Sequence, residues 1–301
     1  MRVFVTGASG FIGSALIPEL IGAGHQVLGL ARSDSAAQAI AAAGAEVHHG
    51  SLEDRDSLKA GAAAADAVIH LGFNHDFSKW EANCEDDRQV IAVLAAVLAG
   101  SERPLIVTGG IGTQTVPGQV ATEQDPALPS SVLPRTASEE AALAAAEQGV
   151  RASAMRLPQV HDRDKAGLIT MLIPIASEKR VSAYIGEGTN RWPAVHVLDA
   201  ARLYRLAIEE GARGIRYHAV GEEGVEFREI AMAIGERIGV PAASISENEA
   251  ADHFGWLARF VGSDMPASSA LTQKRLGWNP SHAGLIADLR SGAVATRMLQ
   301  Q

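Results

Sequence analysis

The sequence predicts an α/β fold, a doubly wound parallel sheet with a small, mainly helical C-terminal lobe. Three features carry that reading. From residue 1 to about 160, short apolar runs alternate with longer stretches of helical periodicity. The runs are β-branched or Leu-rich, as parallel strands buried on both faces tend to be. After residue 165 the alternation breaks down.

Val3-Phe4-Val5 reads as the first buried strand, followed by a Gly-rich turn and a helix over about Phe11–Ile21. Gln26–Ala31 is the second strand, Ala36–Ala43 an Ala-rich helix and Glu46–His48 the third strand. Ala67–Leu71 and Leu105–Thr108 are two more, separated by a long helix over roughly Asp86–Ala99. A helix at about Ala137–Gln148 leads into a sixth strand, Arg151–Arg156. Strands and helices in alternation specify right-handed crossovers and hence parallel neighbours. Residues 1–165 form this sheet domain. The Leu198–Glu209 helix and the Arg216–Val220 strand, within about 195–222, complete it. Residues 166–194 include a helix and the irregular Ile185-Gly186-Glu187-Gly188. With 223–301, helical apart from a break at Met265–Ser269, they form the substrate-binding lobe.

Composition narrows the function classes. Hydrophobic residues make up 47% and charged residues 20%, enough for a sizeable core. The net charge of −9, from 26 Lys+Arg against 35 Asp+Glu, argues against nucleic acid or an anionic membrane as partner. The single cysteine, Cys84, allows no internal disulfide and reads as a buried, inert thiol. No apolar run reaches the ~20 residues needed to cross a bilayer, and the first residues read as strand and turn rather than a signal peptide. A cytoplasmic protein is expected. No metal site is expected either. His48 and His49 point to opposite faces of a strand, and Glu85-Asp86-Asp87 reads as an acidic first helical turn.

The stretch Val5-Thr6-Gly7-Ala8-Ser9-Gly10-Phe11-Ile12-Gly13 follows a strand and opens a helix. That is the context of a Rossmann-type dinucleotide turn. Gly7 permits the sharp turn, Gly10 the approach of a pyrophosphate, and Gly13 close packing of helix on strand. The helix N-terminus offers unpaired N–H groups to the anion. Ser9, Phe11 and Ile12 complete the candidate cradle. At the end of the second strand the chain reads Leu30-Ala31-Arg32-Ser33-Asp34. Ala31 fills the position where an NAD site places its acidic residue, while Arg32 and Ser33 suit a 2′-phosphate. NADP(H) is therefore expected in preference to NAD(H). The alternative has Arg32 solvated and Asp34 on the ribose.

These and later stretches resemble the extended short-chain dehydrogenase/reductase superfamily, the group of nucleotide-sugar epimerases and 3β-hydroxysteroid dehydrogenases. Thr6–Gly13 resembles its opening signature, and Gly50-Ser51-Leu52-Glu53-Asp54 the segment beneath the adenine. Val68-Ile69-His70-Leu71-Gly72 is similar to its fourth strand and Arg156-Leu157-Pro158-Gln159-Val160 to the segment flanking the nicotinamide. Ala194–Ala200 and Leu276-Gly277-Trp278-Asn279-Pro280 match two later landmarks. The resemblance implies cofactor contacts from Ser51, Leu52, Leu71, Gly72, Thr108, Pro158 and Val160. It also implies a serine or threonine after the fifth strand and a Tyr-x-x-x-Lys on the next helix. Here those places read Val107-Thr108-Gly109-Gly110 and Pro134-Arg135-Thr136-Ala137-Ser138, and the three tyrosines, Tyr184, Tyr204 and Tyr217, come later.

Replacement candidates for the proton chemistry are Thr108, Thr113, Arg135 and His75. Each has a plainer role open to it, in loop hydrogen bonding or at a solvated helix start. His161 is expected near the cleft, and His70 as a satisfied core residue. Asn190, Arg191 and Trp192, at the lobe junction, are candidate substrate contacts. Three functions fit: an NADP(H)-dependent oxidoreductase of a small carbonyl or alcohol, a non-catalytic NADP(H) sensor, or an epimerase. The helices Asp86–Ala99 and Ala137–Gln148 resemble the pair through which this family forms homodimers.

Overall fold

A computed structural model describes residues 1–112 and 118–291. Six parallel strands, β1 (Arg2–Thr6), β2 (Gln26–Ala31), β3 (Glu46–His49), β4 (Ala67–His70), β5 (Leu105–Gly110) and β6 (Ala152–Leu157), form the central sheet with Arg216–His218. The order is Arg216–His218, β6, β5, β4, β1, β2, β3, all parallel. Order reverses between β1 and β4, which opens a crevice at the carboxyl ends of those strands.

Helices cover both faces. On one side α1 (Phe11–Gly22) and the helix Val197–Glu210 pack over Val3, Val5, Ile69 and Ile106. On the other, α3 (Arg55–Ala63), α4 (Trp80–Leu98) and α5 (Ala137–Glu147) cover Phe4, Val68, Leu105 and Val107. The helix α2 (Asp34–Ala42) lies against β2 and β3 on the α1 side, through Ile40. Burial of α4 follows helical spacing: Cys84, Asp87, Val90, Ile91, Leu94, Ala95 and Leu98 face inward.

Several sequence expectations change. The long helix begins at Trp80 rather than Asp86, so Glu85-Asp86-Asp87 lies in its second turn and Asp87 is buried. The helix α3 has little apolar periodicity because its buried face is largely Ala and Gly, and Asp54 starts it by accepting from the Asp56 and Ser57 amides. The second lobe is less purely helical than its composition suggests. Two small sheets form there: Arg191–His196 lies between Glu222–Glu226 and Gln159–His161, and Ala242–Ile245 pairs with Ser182–Ile185. Its core gathers Trp192, Phe227, Ile230, Ile234, Phe254 and Leu257. Among the described residues no helix is long and apolar enough to cross a membrane.

Candidate functional site

One cleft of about 1590 Å³ runs along the carboxyl ends of the strands and under the lobe. Every residue assigned to the cofactor from sequence lines it. Gly7, Ser9, Gly10, Phe11, Ile12 and Gly13 form the floor at the first strand–helix junction. Arg32, Ser33, Ser51 and Leu52 lie at one end, and Leu71, Gly72, Thr108, Pro158 and Val160 along the other side.

The turn is built for backbone contact. Gly7 sits at φ +67°, and a Cβ there would lie 2.8 Å from the Gly72 nitrogen. A Cβ on Gly13 would come within 2.2 Å of the Gly7 carbonyl oxygen. Gly10 starts α1 with no side-chain cap, and the first turn carries no acidic residue. The leading N–H groups and the positive dipole end are thus left for an anion, so these residues fit a dinucleotide pyrophosphate.

At the far end Ala31 is buried and Arg32 is exposed on the cleft, with no ion pair among the described residues. Ser33 also accepts a hydrogen bond from the Ala36 amide, capping α2. Asp34 falls in the first turn of α2 and does not line the cleft. A hydrogen bond from Ser51, with Arg32 nearby, holds the Glu53 carboxyl below the usual glutamate range.

A buried polar chain supports the opposite wall. The Gly72 amide donates to Thr6 Oγ1 at 3.0 Å, and Thr6 Oγ1 meets His70 Nδ1 at 2.7 Å. His70 Nε2 lies 2.9 Å from Asp87 Oδ1, so His70 is the satisfied core residue expected. Asp87 also accepts from Ser138 Oγ and from Arg135 Nη1, the latter at 3.4 Å. Burial pushes the Asp87 carboxyl up, but His70, the Arg135 charge and the Ser138 hydrogen bond together outweigh it and hold it below the ordinary aspartate range. Arg135 Nη2 donates to the Thr108 carbonyl at 2.9 Å, and the guanidinium lies 4.3 Å over the Phe73 ring. Arg135 Nη1 also donates to Ser138 Oγ, so three of its five N–H groups are committed, leaving Nε–H and one Nη2–H.

Thr108 Oγ1 is 2.7 Å from the hydroxyl of Tyr204, which is wholly buried. Burial pushes that phenol far above its usual range, so it stays protonated and donates to Thr108 rather than strand its proton. The Thr108 proton is then free for the cleft. His75 lines the mouth, and partial burial with the Arg135 charge keeps its imidazole below the ordinary histidine value, hence neutral at pH 7. Thr113 lies outside the described residues.

Four expectations move away from the site. Trp192 is fully buried and meets Phe227 edge-on at 5.1 Å. Asn190 Nδ2 donates to the carbonyls of Val261 and Ser263, and Arg191 pairs with Asp264 at 2.9 Å. These three hold the lobe together, and the neighbouring Pro193 reaches the cleft instead, as alternation along a strand requires. His161 is buried against Asp288 at 2.8 Å rather than facing the cleft. Burial likewise pushes the Cys84 thiol up to about 11, leaving it no thiolate near neutrality.

The lining also includes residues that sequence reasoning passed over: Phe73, Phe77, Trp80, Met171, Trp256 and Phe260. Their signal was present, three aromatics within Phe73–Trp80 and two more at Trp256 and Phe260, in a chain only 5% aromatic.

This fold and cleft are those of the extended short-chain dehydrogenase/reductase class. A profile of the NAD dependent epimerase/dehydratase family matches residues 3–220, and the chain belongs to that family. It is 49% identical over 294 residues to an uncharacterized protein of Schizosaccharomyces pombe, covering 97% of this chain and 99% of that one. An uncharacterized protein of Saccharomyces cerevisiae is 47% identical over 97% of this chain and 98% of its own length. More distant is a 4-hydroxy-2-methyl-3-oxo-4-farnesyl-3,4-dihydroquinoline-1-oxide ketoreductase of Stigmatella aurantiaca, 29% identical over 80% of this chain and 75% of that one. Among solved structures, dTDP-glucose 4,6-dehydratase from Streptomyces venezuelae, crystallised with NAD, superposes with a TM-score of 0.77 over 96% of each chain at 18% identity. That likeness concerns the fold.

Proposed function

We propose that the protein is an NADP(H)-dependent oxidoreductase acting on the carbonyl or alcohol of a small organic molecule. One observation carries the reading: a single cleft joins the glycine turn and the free Arg32 to Arg135 and Thr108. The relative in Stigmatella aurantiaca named as a ketoreductase supports the same chemistry.

In this reading the Gly7–Gly13 turn holds the pyrophosphate, and Arg32 with Ser33 holds the 2′-phosphate. The bound dinucleotide supplies or accepts the hydride. Arg135, fixed by Asp87 and Ser138, places positive charge where a carbonyl oxygen gains electrons, and the Thr108 hydroxyl donates to that oxygen. Water entering past His75 and Ser78 at the cleft mouth provides the proton that completes the alcohol.

Arg32→Ala is expected to weaken NADPH about 10- to 100-fold while changing NADH affinity no more than about twofold, as loss of charged hydrogen bonds to a phosphate requires. Equilibrium titration with both nucleotides checks this, and equal losses contradict the phosphate assignment. Arg135→Gln is expected to lower kcat about 100-fold with NADPH affinity nearly unchanged, the scale of removing one oxyanion donor. Following NADPH absorbance against a panel of aldehydes and ketones tests the reaction itself. Tight NADPH binding with no turnover on any of them favours the sensor reading.

A further inference from the structure

The cleft also carries a continuous ladder of rings, apart from the residues assigned above to the dinucleotide. It starts where the Arg135 guanidinium covers Phe73 at 4.3 Å. Phe73 meets Trp80 at 5.5 Å, Trp80 stacks on Phe77 at 5.3 Å, and Phe77 reaches Trp256 of the lobe at 5.0 Å. Trp256 meets Phe260 edge-on at 5.9 Å, and the Arg259 guanidinium lies 4.5 Å over that last ring. The ladder thus crosses from the sheet domain to the lobe.

Two of its rings are left conspicuously open to water. Phe77 is 38% exposed and Trp256 47% exposed, and both line the cleft. Adjoining large apolar side chains left open in a concave site mark a surface that a ligand covers. A third observation points to the ligand's chemistry. Trp80 also lines the cleft, and its indole N–H is buried with no acceptor among the described residues. A buried donor of this kind normally has a partner.

Charge excludes another class. A nucleoside diphosphate sugar needs several cations for its diphosphate, yet Arg259 is the one cation that the lobe contributes to the described lining, and its guanidinium face lies on Phe260. Met171 and Met265 add apolar surface to the lining, and His75, Asn74 and Ser78 add uncharged or neutral polar groups to it.

Resting on the oxidoreductase reading above, we infer that the substrate is a planar aromatic aldehyde or ketone. Its ring lies against Phe77 and Trp256, its carbonyl points towards Arg135 and Thr108, and an acceptor atom on the ligand meets the Trp80 indole N–H. The reaction balances as a two-electron reduction. The hydride of NADPH forms the new C–H bond at the carbonyl carbon, the π pair moves to oxygen, and a proton from water gives the alcohol and NADP+.

Acetophenone and cyclohexyl methyl ketone carry the same carbonyl on rings of similar size, one planar and one not. Calorimetric titration of the NADP+-loaded protein with each measures ring preference without turnover. Acetophenone is expected to bind at least about tenfold tighter, since ring stacking adds to area burial. 2-Acetonaphthone, which reaches further along the ladder, binds tighter still. Trp256→Ala and Phe77→Leu alter exposed side chains, and both are expected to erase the preference while leaving NADPH affinity as it was. Equal or tighter binding of the cyclohexyl ketone overturns the inference. So does a preference that survives both variants, or the absence of binding by any of the three ketones to protein that binds NADPH. Preference without NADPH oxidation keeps the aromatic site and contradicts the reductase reading. If NADPH itself fails to bind, the same titrations on the free protein still decide the ring preference.

Discussion

Gly13→Val abolishes dinucleotide binding and destabilises the fold, the largest effect expected of any single substitution here. A Cβ at this position lies 2.2 Å from the Gly7 carbonyl oxygen and 2.6 Å from that of Ala8. Both are backbone atoms of the turn itself, so no side chain can swing aside to relieve the contact. Either α1 moves off β1 or the turn opens, and each displaces the N–H groups that face the cleft. Overpacking of this kind costs about 3 kcal/mol or more. In a chain this long that lowers Tm by roughly 6 °C or more. Gly22→Ala is the matched control. A Cβ there meets nothing within 4 Å, at the last turn of the same helix, so stability holds or rises slightly and binding is unchanged. A Gly13→Val protein with wild-type Tm and NADPH affinity would falsify the packing account of the turn.

Removing Asp87 is expected to have the second largest effect. Its carboxylate is the common partner of His70, Ser138 and Arg135, inside a wall that is almost dry. Asp87→Ala leaves the Arg135 charge and two further polar groups without that acceptor, a loss of about 3–5 kcal/mol for a buried pair broken from one side. Asp87→Asn keeps the shape and loses less stability, but it frees Arg135 to wander, so kcat falls in both variants. The pH dependence separates this site from the other carboxylates. Because the folded carboxyl titrates below the ordinary aspartate value of 3.8, its stabilisation is fully present above that value. It is lost as the pH falls through the lower folded value. The difference in unfolding free energy between wild type and Asp87→Asn should therefore be constant near neutrality and shrink on acidification below about pH 4. A difference that stays flat to lower pH contradicts the assignment.

The sheet domain was legible because its signals are local. A strand, a glycine turn and a helix follow one another from residue 2, and each later strand is a compact apolar run. Arg32 could be placed at the second strand's end by counting along the same unit. The lobe was less legible because its strands are short and take their pairing from distant segments. Trp192 illustrates the cost of judging polarity and aromaticity without the side-chain period. Adjacent positions on that strand face opposite ways, so Pro193 meets the cleft and Trp192 the lobe core. The aromatic ladder was hidden for a different reason. Phe77 and Trp256 lie far apart in sequence and become neighbours when the lobe folds over the sheet. Likewise, nothing local to Thr108 announces that Tyr204 stands behind it.

All of this depends on a dinucleotide lying along the Gly7–Gly13 turn. The most direct test is titration of the purified wild-type protein with NADPH, read by the change in nucleotide fluorescence. Saturable one-to-one binding is expected with a Kd of about 10 μM or tighter, lost in Gly13→Val and retained in Gly22→Ala. Folded wild-type protein that shows no saturation with NADPH or NADH up to about 1 mM, a concentration that detects even weak complexes, would contradict the account at its root.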